Sequence, residues 1–373
     1  MLSASPILPW EKSNKLCVLA APHLAEWSER AKSFLLENGI SEGVAFATSG
    51  SSGLPPKAII FTHESLNICA AAAIQHMNAQ KGDWCCPLPT WHVGGAMVHM
   101  RAALSGARVH TLPHRWNAKD YTDLLSTSQA AWSSLVPTQV IDLVKSELKA
   151  PKTIHCILVG GGALDTPTAQ KARELGWPIV QSYGMTESGS QFATASPDEP
   201  WHSDKLAILP HWEAKVNDAG ILSFQGKGKL SARLTTQLDG RFSLEIIPQN
   251  QWWQTNDIVS LEGNKLTFIR RADRLIKILG ELVDPDAIQY EFARLAPDVI
   301  IEAVPHHRRG AKLIACTERY LTELEAISDT WNTTMPGPQR IERVVCYDSF
   351  PRNEMGKLDR AALRASLLEL VCE

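Results

Sequence analysis

Three short stretches of small and charged residues, far apart in the chain, carry the side chains best suited to chemistry. The first runs Thr48, Ser49, Gly50, Ser51, Ser52 and Gly53, then Leu54, Pro55, Pro56 and Lys57. Consecutive small residues leave backbone N–H groups uncovered, so they can curl around an anion, and Ser and Thr hydroxyls add donors. A phosphate suits such a cradle. This is not a Walker A loop: Pro55 stands where that pattern needs its second glycine, and the next segment reads as strand rather than helix. The second stretch is Gln181-Ser182-Tyr183-Gly184-Met185-Thr186-Glu187, and the third runs from Pro351 to Gly356 and Lys357. Taken singly, each has an ordinary alternative: a flexible loop, a turn after a strand, and the surface start of a helix.

Further signals lie between them, in a consistent order. Pro87-Leu88-Pro89-Thr90-Trp91-His92 is followed by Val93 and by Gly94 and Gly95, glycines that let a substrate approach the backbone closely. Gly160, Gly161, Gly162 and Ala163 follow the apolar run 154–159, with Asp165 or Thr166 placed to cap a helix. Trp253-Gln254-Thr255-Asn256-Asp257 offers a carboxylate at what reads as a turn, since asparagine tolerates left-handed backbone. Arg270-Arg271-Ala272-Asp273-Arg274 concentrates charge before Lys277, which could equally be a surface strand.

Positioning these groups requires alternating elements. Residues 44–48 and 57–62 read as strands around the Ser/Gly/Pro loop, and a helix is expected over 64–79, with Glu64 near its electropositive end. Strands at 130–136, 154–159 and 178–183 alternate with helices at 138–148 and 165–175, the pattern of layered α/β architecture. From Trp212 to Phe268 short strands punctuated by Gly, Asn and Asp read as a small antiparallel barrel. The last hundred residues return to strands (298–304, 311–317, 341–347) and helices (284–295, 358–371), an α+β unit.

At 373 residues the chain exceeds one ordinary core, so two domains are expected: 1–270 and 271–373. A net charge of -3 without a dense Lys/Arg cluster gives no footprint for nucleic acid. The eight cysteines are scattered without zinc-ligand spacing and read as buried free thiols of a reducing compartment. With neither a signal-peptide pattern nor an apolar run long enough to span a bilayer, the expectation is a cytoplasmic protein without a membrane span. Oligomeric state is not encoded in these patterns.

Taken together, the stretches from about residue 44 to about residue 365 resemble the acyl-adenylate-forming superfamily, which includes acyl-CoA synthetases, peptide-synthetase adenylation domains and luciferases. The resemblance implies a large α/β domain, here with a shortened start, and a small mobile C-terminal domain. ATP, Mg²⁺ and coenzyme A are implied as co-substrates and cofactor, with a small carboxylic acid as partner. It places Thr48 to Gly53 on the β- and γ-phosphates, and Gly161, Gly162 and Ala163 with Tyr183 and Gly184 on the nucleotide. It puts Thr186 on the α-phosphate, Glu187 on Mg²⁺, and Asp257 and Arg271 on the ribose. His92 would line the acyl pocket, Asp273 would be the hinge and Lys357 the adenylation lysine. The chain departs from the family pattern at Ser52 (threonine), at the extra proline before Lys57, at Asn256 (glycine) and at Ile278-Leu279 (serine-glycine). The short o-succinylbenzoate–CoA ligases of menaquinone biosynthesis are similar in abbreviation and in the segment around His92. Another aryl- or acyl-CoA ligase, or a truncated non-catalytic nucleotide-binding homologue, are the alternatives. Arg101, nine residues beyond His92, is either paired on the surface or the partner of a second substrate carboxylate.

Overall fold

The computed structural model describes residues 15–48, 55–112, 115–296, 299–318, 321–353 and 358–371. Strand β1 (Cys17–Leu19) leads through helix α1 (Ala25–Glu37) to β2 (Val44–Thr48), which pairs antiparallel with β3 (Lys57–Phe61). Alternation along β2 serves two cores. Ala45 and Ala47 pack under Ala31 and Leu35 of α1, whereas Val44 and Phe46 face α2 (His63–Met77). Thr62 caps α2, its hydroxyl accepting the Ser65 N–H at 3.0 Å.

A run of βα units follows: β4 (Trp84–Cys86), α3 (Val93–Leu104), β5 (Val109–Thr111), α4 (Ala118–Ser128), β6 (Trp132–Leu135), α5 (Pro137–Lys145), β7 (Cys156–Val159), α6 (Thr166–Glu174) and β8 (Ile179–Tyr183). The strands pair in parallel in the order β8-β7-β6-β4-β5. Helices cover both faces, which is why β6 and β7 are buried along their whole length. Helices α2 and α3 fill the layer between the two sheets, and α4, α5 and α6 close the far side.

At β8 the sheet changes character. Its far edge takes β9 (Ala193–Thr194) antiparallel, and then β10 (Leu206–Ile208). The segment expected to form a barrel is antiparallel, and its strands divide between two sheets. β11 (Glu213–Val216) and β12 (Ile221–Gln225) extend the long sheet to eleven strands, together with two later strands of the segment. β13 (Ala232–Thr236) and β14 (Phe242–Ile246) join β3 instead, because Ala232 and Leu234 complete the core under α1. The two later strands are β15 (Trp253–Glu262) and β16 (Lys265–Arg271).

After one turn at Ala272–Arg274 come the hairpin β17 (Ile276–Ile278) and β18 (Glu281–Val283), then α7 (Pro285–Phe292) and β19 (Ile300–His306). β20 (Gly310–Thr317), α8 (Leu321–Thr334), β21 (Ile341–Cys346) and α9 (Arg360–Val371) complete the chain. α7 and α8 cover one face of this small sheet through Ile301, Ala303, Leu313 and Ala315, and α9 covers the other through Val304, Ile314 and Cys316. Cys69, Cys85, Cys86, Cys156 and Cys316 are buried free thiols, but Cys346 is exposed and Cys17 half-buried, which corrects the uniform expectation. Among the described residues no helix is long and apolar enough to cross a membrane.

Candidate active site

A cavity of about 200 Å³ opens at the carboxyl ends of β6, β7 and β8, where the parallel sheet meets its antiparallel extension. Such ends are the ordinary ligand position of open α/β sheets. Ser134, Leu135, Leu158 and Ser182 reach it from the strands, His92, Gly94 and Arg101 from the α3 side, and Gly184 to Thr186 from the loop after β8.

That loop is built tightly. Tyr183 ends β8, Thr186 to Ser188 form one 3₁₀ turn, and the chain returns so that the Phe192 N–H donates to the Tyr183 carbonyl at 2.9 Å. A Cβ on Gly184 would lie 1.5 Å from the Ser190 carbonyl oxygen, so no other residue fits without backbone movement. Gly184→Ala should therefore lower stability, at the upper end of the roughly 1–3 kcal/mol that overpacking typically costs. A urea midpoint equal to wild type would show that the return of the loop does not depend on this glycine.

Tyr183 also carries a carboxylate. Its hydroxyl donates to Asp257 Oδ2 at 2.6 Å, while Arg271 Nη1 lies 3.3 Å from Asp257 Oδ1. Asp257 and Arg271 are register partners of β15 and β16, which is why residues fourteen apart meet. Burial pushes the Asp257 carboxyl up, against the Tyr183 hydrogen bond and the Arg271 charge. Burial, reinforced by Asp257, raises the Tyr183 phenol. Arg271 also holds Asp273 with two contacts, at 2.9 and 2.6 Å, and keeps that carboxyl below its usual range. Asn256 donates to Asp273 Oδ2 at 3.2 Å from an extended position within β15. The expected left-handed turn at Asn256 is not formed: β15 continues through the motif with an irregularity in its register against β12, and Asn256 does not take positive φ.

The third group surrounds Glu187. Lys57 Nζ lies 3.5 Å from its Oε1, and Thr48 pairs with Lys57 in the register that closes the base of the Ser/Gly loop. Thr48 and Glu187 are thus brought to one region, whereas Ser49, Gly50, Ser51, Ser52 and Gly53 lie outside the described residues, as does Lys357. Among the described residues no group of three His, Cys, Asp or Glu could hold a metal alone. A single accessible carboxylate fits Mg²⁺ that takes its remaining ligands from substrate phosphates and water.

Arg101 gives the sharpest result. It is 1% exposed, lies within the cavity wall and has its guanidinium 5.7 Å from the Trp84 ring. Its Nε has no hydrogen-bond partner, and among the described residues no carboxylate pairs with it. The surface-paired alternative is thereby overturned, because α3 is packed between the two sheets along this face. Burial lowers the guanidinium to about 10, so it remains a cation at neutral pH. Helix α3 starts immediately after His92, and a Cβ on Gly95 would lie 2.2 Å from the Pro89 carbonyl oxygen, so glycine lets the segment seat against the loop before it.

Ser134 and Gln191 are cavity residues that the sequence reading did not single out. Ser134 Oγ and Gln191 Oε1 are buried without partners in the same wall. Ser134 could have been noticed as a polar residue inside an otherwise buried strand; Gln191 gave no signal. Gly160 and Gly161 line the cavity, and Gly161 has φ +77°, while Gly162 and Ala163 are exposed beside it. Asp165, not Thr166, caps α6, accepting the Thr168 N–H at 2.8 Å.

A family model described as AMP-binding enzyme matches residues 44–233, just over half of the chain. A 2-succinylbenzoate–CoA ligase of Listeria monocytogenes is 25% identical over 328 residues, covering 85% of this chain and 68% of that protein. The o-succinylbenzoate CoA synthetase of Bacillus subtilis, in complex with the acyl-adenylate intermediate OSB-AMP, superposes with a TM-score of 0.71 at 21% identity, covering 94% of this chain and 78% of its own. An ATP-bound RpMatB-BxBclM chimera reaches a TM-score of 0.74 at 19% identity, covering 95% and 80%. The two structures share the fold of this chain, a large α/β unit followed by a small α+β unit.

Proposed function

The chain belongs to the AMP-binding enzyme family, and from that premise we propose that it is an AMP-forming acid–CoA ligase whose acid is o-succinylbenzoate. Arg101 carries this reading: a buried cation without a protein counter-ion, in a cavity wall shared with the loop that bears Thr186 and Glu187. A buried charge needs a partner. An acid with two carboxylates, one activated and one retained, supplies it. The 2-succinylbenzoate–CoA ligase relatives support the same substrate.

A carboxylate is a poor acyl donor, because its leaving group would be oxide. In the first step its oxygen attacks the α-phosphorus of ATP; the new P–O bond forms as the bond to pyrophosphate breaks. In the second, the CoA thiol attacks the acyl carbon, loses its proton and displaces AMP. Thr186 would hold the α-phosphate and the Tyr183–Asp257–Arg271 cluster the ribose. Thr48 and its loop would hold the outer phosphates. Glu187 would hold Mg²⁺, which when bound offsets the phosphate charge. Lys357 would reach both the entering carboxylate and the α-phosphate. These groups act by positioning and by charge already in place. The two units divide at Arg271–Asp273, and Asp273 serves as the pivot between the two steps.

The decisive assay screens carboxylic acids for ATP-dependent pyrophosphate release and CoA-thioester formation. o-Succinylbenzoate should surpass acids that lack its aromatic carboxylate. Preference for a monocarboxylic acid would transfer the assignment to another acyl-CoA ligase, and no pyrophosphate release with any acid would leave nucleotide binding without catalysis. Glu187→Gln should raise the Mg²⁺ requirement and slow the first step by about 10²-fold, the scale of losing one stabilising group. An unchanged magnesium titration would remove Glu187 from the metal.

A further inference from the structure

Burying a guanidinium without an anion is costly, yet an anion supplied by the protein would occupy the donors that a ligand needs. A carboxylate takes guanidinium N–H groups in pairs. Among the described residues no carboxylate does so at Arg101. An aromatic face lies against it instead. Arg101 Cζ stands 5.7 Å from the centre of the Trp84 ring, within the range of a cation–π contact. Such a contact stabilises the charge and takes none of its N–H groups.

The fold holds this ring for its face. Trp84 is 0% exposed and its Nε1 has no hydrogen-bond partner, although a buried indole N–H usually finds one. Along β4, Trp84 and Cys86 join the core that contains α3, while Cys85 between them joins the other. Trp132 is the register partner of Trp84 on β6, its ring 6.2 Å away and tilted by 36°. Trp132 is itself pinned, its Nε1 donating to the Lys81 carbonyl at 2.7 Å. A Cβ on Gly82, which has φ +100°, would lie 2.7 Å from Ala131 Cβ and 3.2 Å from that Nε1, so glycine leaves room for the pair. Two thiols nearby, Cys69 and Cys86, interact with the Arg101 charge but do not neutralise it. Burial pushes both up to about 12, and each donates to a backbone carbonyl, at 3.2 and 3.4 Å.

We infer that Trp84 is a positioning residue for specificity: its ring supports the Arg101 cation in place of a protein carboxylate, which leaves the guanidinium N–H groups to the second carboxylate of the substrate. The inference rests on the diacid reading above. Trp84 acts through Arg101, which lines the cavity, whereas Trp84 stands behind it.

The test compares two acids in Trp84 variants. Trp84→Leu should raise KM for o-succinylbenzoate by about 10-fold, within the span of a desolvated cation–π contact. KM for ATP, and for the analogue without the aromatic carboxylate, should stay near wild type. Trp84→Phe, with a smaller face, should fall between. Should Trp84→Leu melt below the assay temperature, Trp84→Phe and its pentafluorophenylalanine counterpart carry the comparison. These two rings have nearly the same shape, but fluorination reverses the quadrupole. The fluorinated ring should give the higher KM for the diacid alone. Urea unfolding supplies a readout independent of turnover: fluorination should lower the midpoint more with Arg101 present than in an Arg101→Leu background. Equal rises in KM for the two acids, equal KM with the two rings, or the same midpoint difference in both backgrounds would overturn the inference. If the wild type does not prefer the diacid, the diacid reading fails, and the midpoint comparison still decides whether Trp84 supports the cation.

Discussion

Lys357→Ala should lower the rate of pyrophosphate release by about 10²–10³-fold, the range for loss of one group that stabilises developing charge. Thioester formation from supplied acyl-adenylate should continue. The asymmetry follows from the electrostatics of the two steps. In the first, a carboxylate approaches a triphosphate, and the transition state concentrates negative charge around the α-phosphorus. A lysine ammonium is a compact charge on a flexible stem and can reach both reactants at once. In the second step the nucleophile is a thiol and the leaving group is AMP, so a second cation at the α-phosphate has less to do. Rapid-quench measurement of each half-reaction separates these contributions. Equal losses in both would assign Lys357 to general binding instead.

How much of this was legible beforehand depends on the kind of interaction. The strands expected at 44–48 and 57–62, observed at Val44–Thr48 and Lys57–Phe61, could be read because their residues are apolar with sharp Ser/Gly/Pro punctuation, and the βα alternation followed from strands buried on both faces. The cluster around Asp257 was legible only as separate motifs: Tyr183 and Asp257 are seventy-four residues apart and meet through sheet order, which no local pattern encodes. The division of the strands from 206 to 271 between two sheets was equally invisible, since β13 and β11 carry similar local patterns and differ in which core they complete. Asn256 misled because a glycine-bearing motif implies a turn, whereas β15 continues through it with an irregularity in its register against β12.

The stretch from Arg270 to Arg274 shows a further limit of local reading. Its alternation of arginine and aspartate looks like a solvated surface strand, yet successive side chains take different partners. Arg271 holds Asp257 and Asp273, while Arg270 lies 3.2 Å from Asp284 and Arg274 lies 3.3 Å from Asp286. Only the structure could distinguish that pattern from scattered surface pairs.

Arg101→Leu should raise KM for o-succinylbenzoate by roughly 10²-fold, corresponding to about 3 kcal/mol for a charged hydrogen bond, and leave KM for ATP nearly unchanged. Leucine keeps the apolar stem volume of a side chain packed against Trp84, so the substitution removes charge more than shape. The wild-type cavity wall leaves Arg101 Nε and Ser134 Oγ without partners. Burial strengthens a charged hydrogen bond there, because the competing water is excluded and the local dielectric is low. The same reasoning gives the variant a weaker preference: without its cation, the cavity should discriminate less against analogues that lack the aromatic carboxylate. Steady-state kinetics with o-succinylbenzoate and with 4-oxo-4-phenylbutanoate, which retains only the activated carboxylate, test both halves. If the variant keeps a normal KM for the diacid, Arg101 is not its anchor. If wild type and variant show the same preference between the two acids, the cavity does not recognise the second carboxylate.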